Sequence, residues 1–281
     1  MRKICTIILA LASVASFAQV SGQFVEENSV EIKDRFEAND AVYKAIKGYK
    51  AIMIGEIHGT QEAPEFLVGF VKSLLKNGKK VMVAFEISSD GLKSFVSNPT
   101  LEGLKKSVFF NSTAQDGRQC MAWAQMLVDL RKLNVDIAYI DLDLAHKGDK
   151  NITRDSMMYE NLNAAFKTDT NRVLVTLTGN MSNRLLPYKG VKTLAYFMQK
   201  DKYSSFKNKK ILSLNHMYGK GSAMNWANDG FKVREIEGNA DFYEYATPYD
   251  NYLFIYNVQE GYNGIIFSKT LSSSPSLVNP Q

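Results

Sequence analysis

Short apolar runs alternate with longer amphipathic stretches from residue 51 to residue 214. Residues 51–54, 81–85, 135–140, 172–177 and 211–214 are brief, mostly apolar runs, as expected of strands buried on both faces. Between them, residues 64–75, 116–133, 152–166 and 191–198 carry helical spacing. In the second of these, Met121, Ala124, Leu127 and Leu130 fall on one stripe. Gly78 stops the first, and a short helix at 41–46 precedes the first strand. This rhythm predicts an α/β fold with a mostly parallel central sheet covered by helices on both faces. Residues 219–251 are irregular and aromatic and read as a flap or long loop. Residues 252–258 and 264–267, separated by Gly261 and Asn263, predict a C-terminal hairpin. The Ser- and Pro-rich stretch after Ser272 reads as a loosely attached tail.

The first 18 residues follow a different logic. Arg2 and Lys3, a short apolar run from Cys5 to Val14 and Ser16-Phe17-Ala18 form a secretory signal cut after Ala18. The expected product is a periplasmic or secreted protein. The apolar run is too short for a membrane span, and no later segment is long enough. Residues 19–47 form a leader and first helix, 48–276 one α/β domain, and 277–281 a tail. After cleavage Cys120 is the one cysteine left, so the core alone must hold the domain. Losing Arg2 and Lys3 lowers the net charge from +5 to +3, too mild to argue for nucleic acid. Residues 207–210, rich in lysine, read as a solvated loop.

The chemistry is concentrated where strands end. Glu56 and His58 lie just past the first strand, in Gly55-Glu56-Ile57-His58-Gly59. Glu86 ends the second, Asp141 and Asp143 the third, and Asn180 and Ser182 follow the fourth. Open parallel sheets bind ligands outside the carboxyl ends of their strands. Arg118 and Arg154 open two of the helices and can reach the same crevice. Two carboxylates in one cleft repel and need a cation, which an arginine or a metal ion supplies. A His between two such carboxylates serves as general base, as metal ligand or as hydrogen-bond partner. Glu56, His58, Glu86, Arg118 and Arg154 are the candidate catalytic set, with Glu56, His58 and Glu86 as candidate metal ligands. Asp141, Asn180 and Ser182 are supporting residues. His146 and His216 read as surface histidines, and the aromatic group around Tyr243, Tyr249 and Tyr252 as packing. There is no G-x-S-x-G elbow, P-loop, H-E-x-x-H or paired C-x-x-C, which argues against a Ser-His-Asp hydrolase.

Taken together, Gly55-Glu56-Ile57-His58-Gly59 with Glu62 and Pro64, Ala84-Phe85-Glu86, Asp116-Gly117-Arg118, Arg154-Asp155 with Met158, and Thr178-Gly179-Asn180-Met181 carry a resemblance. The ending Tyr262-Asn263-Gly264-Ile265-Ile266-Phe267 with Ser274-Pro275 adds to it. The chain resembles the ChaN-like haem-binding uptake family of the Tiki and erythromycin-esterase superfamily, over roughly residues 48–276. The resemblance implies bacterial export and two glutamates, a histidine and arginines in one pocket. Relatives include metal-dependent proteases, a macrolide esterase with a His base, and haem-binding proteins. Ser182 stands where the family usually has a His, and no Tyr occurs between Tyr49 and Tyr139, near the second glutamate. The expected activity is hydrolysis of an ester or amide of a small molecule or peptide, with a divalent metal as a possible aid. The alternatives are a haem- or metal-binding uptake protein and a non-catalytic small-molecule binder.

Overall fold

A computed structural model of the chain describes residues 21–113, 115–142, 153–227, 230–238, 241–257 and 261–278. The expected signal segment lies outside these residues, as do Asp143 and His146. In chain order the elements are α1 (Gly22–Asn28), β1 (Ser29–Glu31), α2 (Asp40–Ile46), β2 (Ala51–Glu56), α3 (Glu62–Lys76) and β3 (Val81–Phe85). A 3-10 turn (Asp90–Leu92) leads to α4 (Lys93–Ser97), α5 (Leu101–Lys105), α6 (Met121–Lys132), β4 (Asp136–Tyr139), α7 (Arg154–Lys167) and β5 (Val173–Gly179). The chain continues through α8 (Leu194–Lys200), β6 (Ile211–Ala227), β7 (Gly230–Glu237), α9 (Asp241–Glu244), β8 (Asn251–Phe254) and β9 (Gly264–Leu271).

The described strands form one mixed sheet in the order β1-β8-β9-β6-β2-β5-β3-β4, with β7 on the outer half of β6. From β9 to β4 all neighbours are parallel, and β8 and β1 close the other edge antiparallel. The apolar runs are buried because both sides of the sheet are covered. Ile52, Ile54, Val83, Phe85, Val175 and Leu177 pack toward α3 and α6. The alternate residues Ala51, Met53, Met82, Ala84 and Leu174 pack toward α7 and α8. Each large side chain so buried contributes about 1.5–3 kcal/mol. β2 and β5 are neighbours, yet the chain leaves β2 for α3 on one face and β5 for α8 on the other. Their carboxyl ends therefore part, and parallel sheets open a crevice at such a switch.

Three expectations are corrected. Residues 219–251 are not one long loop: β6 runs to Ala227 and pairs with β7, Lys220 opposite Glu237 and Ala223 opposite Arg234. The alternation in Phe231-Lys232-Val233-Arg234 is a strand signal that the surrounding aromatic residues obscure. α6 starts at Met121 rather than at 116, and the Oγ of distant Ser274 accepts from Ala122 N at 2.9 Å at its first turn. The C-terminal stretch is not loose. Residues 272–278 cross the carboxyl edge of the sheet, with Ser274, Ser276 and Leu277 buried. Gly59 O accepts from Ser274 N at 3.0 Å, Pro275 O from Met121 N at 2.8 Å, and Gln119 O from Leu277 N at 3.0 Å. This strap binds the β2–α3 loop to the segment before α6. The C-terminal hairpin is present, as β8 against β9.

Gly59 is the crowded point under the strap. Its φ is +82°, and an added Cβ would lie 2.1 Å from the carbonyl oxygen of Met224. Left-handed strain and this overlap add, so Gly59→Ala should destabilise the fold by about 2–4 kcal/mol in urea denaturation. A loss below about 0.5 kcal/mol, the scale of an ordinary surface change, would contradict the packing described.

Candidate functional site

β2 carries its buried character one step past the apolar run, to Glu56. Alternation turns Glu56 toward α6, on the side of Ile52 and Ile54. There Trp123 Nε1 donates to its Oε2 at 3.0 Å. His58 folds back so that Nδ1 lies 2.9 Å from Glu56 Oε1. The approach is an ion-pair contact without aligned hydrogen-bond geometry. The Glu56 side chain is 1% exposed and that of His58 30%. Burial pushes the imidazole pKa down, and so does the charge of Arg118. The charge of Glu56 and its contact outweigh both and hold His58 above the ordinary value of 6.5.

The second unit is built on Arg118, in the turn before α6. Asp116 Oδ1 accepts from Arg118 N at 3.1 Å, and the Asp116 carboxylate takes two guanidinium nitrogens, Nε and Nη2. Arg118 Nη1 donates to the backbone carbonyl of Glu86. Burial opposes charge on this arginine, which is 7% exposed. Asp116, Glu86 and Glu56 more than offset that and raise its pKa. Asp116 is held below the usual carboxylate range, because Arg118 and His58 outweigh its own burial.

Glu86 leans the other way, toward α7, as Met82 and Ala84 do. Its Oε2 accepts from Gly179 N at 3.2 Å and lies 3.9 Å from both Arg118 Nη1 and Arg154 Nη2. Its Oε1 is buried without a hydrogen-bond partner. Arg154, the first residue of α7, grips Asp141 through Nε at 2.8 Å and Nη2 at 3.0 Å, with its side chain 45% exposed. Burial and the nearby charge of Glu86 raise the Asp155 pKa despite a hydrogen bond from Ser182. A cavity of about 180 Å³ opens beside Arg118, between Ile87, Ser88, Phe109, Asp116, Gln119 and Asp141.

Glu56, His58, Arg118, Glu86, Arg154 and Asp141, all singled out from sequence, thus form with Asp116 a ladder of alternating charge: Glu56, His58, Asp116, Arg118, Glu86, Arg154, Asp141. The single cleft with His58 between two glutamates is not what the chain builds. His58 touches Glu56, and Glu86 sits beyond Arg118. Asn180 and Ser182 turn away from the ladder's open side. Asn180 Oδ1 accepts from His216 N at 3.2 Å, and Asn180 O accepts from Tyr262 Oη at 2.7 Å. A Cβ on Gly55 would lie 2.0 Å from Asn180 Oδ1, so glycine is what lets Asn180 cross β2. Ser182 is buried against Asp155. His216 is corrected from surface to core: it is 1% exposed in β6, pairs through Nε2 with Ser268 Oγ at 3.0 Å, and burial lowers its pKa to about 3. Trp123 and Asp116 are the partners that sequence reasoning missed as site residues. A tryptophan on the buried stripe of a helix facing a strand-end glutamate was the available signal.

The metal and haem that the resemblance implies do not fit this arrangement well. Among the described residues no three His, Cys, Asp or Glu side chains converge to hold a metal ion. The ground between the glutamates carries Arg118, already a cation. Tyr252 packs on Phe267 and donates to Tyr243 O at 2.9 Å, and Tyr243 and Tyr249 pack against the same cluster. These aromatics form a core on β8 and β9, not a wall of the site.

By NMR titration His58 should show a pKa above 6.5. Glu56→Gln removes the dominant charge that raises it, leaving burial and Arg118 against the smaller opposing charge of Asp116, so the value should fall below 6.5. An unchanged midpoint in Glu56→Gln would break the assigned pairing.

No family model and no curated protein sequence matches the chain. Solved structures do. A succinoglycan biosynthesis protein superposes with a TM-score of 0.63 at 10% identity, over 89% of this chain and 96% of that one. A Bacillus cereus protein gives 0.62 at 9% identity, over 90% and 97%. An erythromycin esterase, EreC, in its open conformation gives 0.56 at 8% identity, over 84% and 94%. The chain therefore has the α/β fold that its resemblance to the ChaN/Tiki and erythromycin-esterase superfamily implied, shared over most of its length with an erythromycin esterase.

Proposed function

We propose that the protein is an exported hydrolase of ester or amide bonds in which His58 is the general base. The observation that carries this reading is the Trp123–Glu56–His58 relay. One ring nitrogen of a partly exposed histidine faces a buried carboxylate whose other oxygen is fixed by an indole N–H. That leaves Nε2 to take a proton from water. The resulting hydroxide adds to the substrate carbonyl carbon, and the oxyanion is stabilised by a guanidinium. Collapse expels the alcohol or amine, which recovers the proton from His58. Arg118 is fully engaged with Asp116 and Glu86, so the half-exposed Arg154 is the guanidinium that meets substrate. Ser182, bonded to Asp155, supports α7 rather than the reacting atoms. The fold shared with an esterase agrees with this reaction class.

The neutral imidazole is the active form of the base. Its raised pKa therefore means that kcat/KM for p-nitrophenyl esters should rise with pH through a midpoint above 6.5. His58→Ala should lower kcat/KM by roughly 10²–10⁴-fold. Arg154→Ala should lower it less, through KM for esters bearing a carboxylate. Equal rates in wild type and His58→Ala would refute the assignment.

A further inference from the structure

The segment from 179 to 210 has an unusual charge. It holds eight Lys and Arg against one acidic residue, Asp201, a net +7 in a chain whose total is +5. The rest of the chain is therefore −2. Asp201 is half-buried, its Oδ1 accepting from Tyr203 N at 2.6 Å.

The same segment projects apolar side chains into solvent. Residues 186–192 are exposed without a break. Leu186 is 42% exposed, Tyr188 39%, Val191 54%, and Met181 just before them 48%. Single exposed apolar residues need no explanation, but a contiguous group does. A slack loop is not the cause. Tyr188 N donates to Val191 O at 3.0 Å and Val191 N to Tyr188 O at 2.9 Å, around a turn at Lys189 and Gly190. The tip is a closed hairpin that holds its apolar residues outward.

Behind the tip, lysines stand over tyrosine rings. Lys189 Nζ is 5.2 Å from the Tyr188 ring, Lys192 Nζ 5.8 Å from Tyr196, and Lys202 Nζ 4.7 Å from Tyr203, itself 70% exposed. Lys207, Lys209 and Lys210 are exposed too, but they precede β6 at the other edge of the sheet, beside Lys50, and are not part of this face.

We propose that this hairpin tip and the Lys–Tyr face behind it dock the protein on an anionic lipid bilayer. Charge complementarity selects a negative surface. The ordered apolar tip, flanked by Lys189 and Lys192, selects a surface it can enter. Amphipathic tyrosines with lysines suit the headgroup level of a membrane, and neither feature suits a purely aqueous polyanion. The tip follows the carboxyl end of β5, so docking brings the Glu86 edge of the sheet toward the membrane.

The test is co-sedimentation of the full protein with vesicles of phosphatidylcholine alone or mixed with phosphatidylglycerol, at low and high salt. Binding should require phosphatidylglycerol and weaken with salt. Lys189→Ala with Lys192→Ala should weaken it at least tenfold. Tyr188→Ser with Val191→Ser should also weaken it, and so should Val191→Ser alone, which leaves the Tyr188 ring on Arg184 and the melting temperature unchanged because Val191 is 54% exposed. Failure to bind the mixed vesicles overturns the proposal. So does binding indifferent to both pairs of variants, or retention on heparin without retention on vesicles.

Discussion

A guanidinium buried at the carboxyl edge of the sheet is the constraint around which the rest of the site is arranged. Removing such a charge from water is tolerable only with close counter-charges and filled hydrogen bonds. Asp116 supplies the first and the carbonyl of Glu86 the second. Those demands fix the turn before α6, the position of the end of β3 and the gap between Glu56 and Glu86. They also explain why His58 pairs with only one carboxylate. Arg118 lowers its pKa while Glu56 raises it, and the nearer anion prevails.

The strap of residues 272–278 makes this geometry durable. It joins the loop after β2, which carries His58, to the segment that carries Arg118, through Gly59 and Gln119. The outer half of β6 adds a further tie, Met224 N donating to Gly59 O at 3.1 Å. The loop bearing His58, the proposed base, is thereby held between fixed backbone groups, as pre-organisation requires. The acid–base pair sits on a rigid floor, while Arg154 at the start of α7 stays open to solvent.

Much of this was legible in the sequence because buried parallel strands read as continuous apolar runs. The charged residues that interrupt such runs at their ends announce the active edge. β2, β3 and β5 and the residues that follow them were found this way. The alternation of facing was the missed step. Glu56 continues the Ile52–Ile54 face and Glu86 the Met82–Ala84 face, which parity alone could have told. The strap was hidden because a Ser- and Pro-rich composition reads as a slack tail, whereas here its backbone groups pair with Gly59, Met121 and Gln119. β7 was hidden because its apolar residues are not buried, Val233 being exposed and Phe231 and Ile236 only partly covered, so no buried stripe marks it. The inward turn of His216 depends on Ser268, some fifty residues away, and no local pattern reports it.

The central claim is that Arg118 is the cation on which both carboxylate units depend. Unfolding of Arg118→Met against wild type, followed from pH 7 down to about pH 2, tests it most directly. Asp116 has a depressed pKa in the native protein, so its contribution is present above its unfolded value and is lost as pH falls through the folded one. The variant should be about 1–3 kcal/mol less stable at pH 7, because Asp116 loses its guanidinium and Glu86 keeps only Gly179 N and the 3.9 Å approach of Arg154. The gap should narrow as acid protonates Asp116. Equal stability at pH 7, or a gap that widens in acid, would contradict the account.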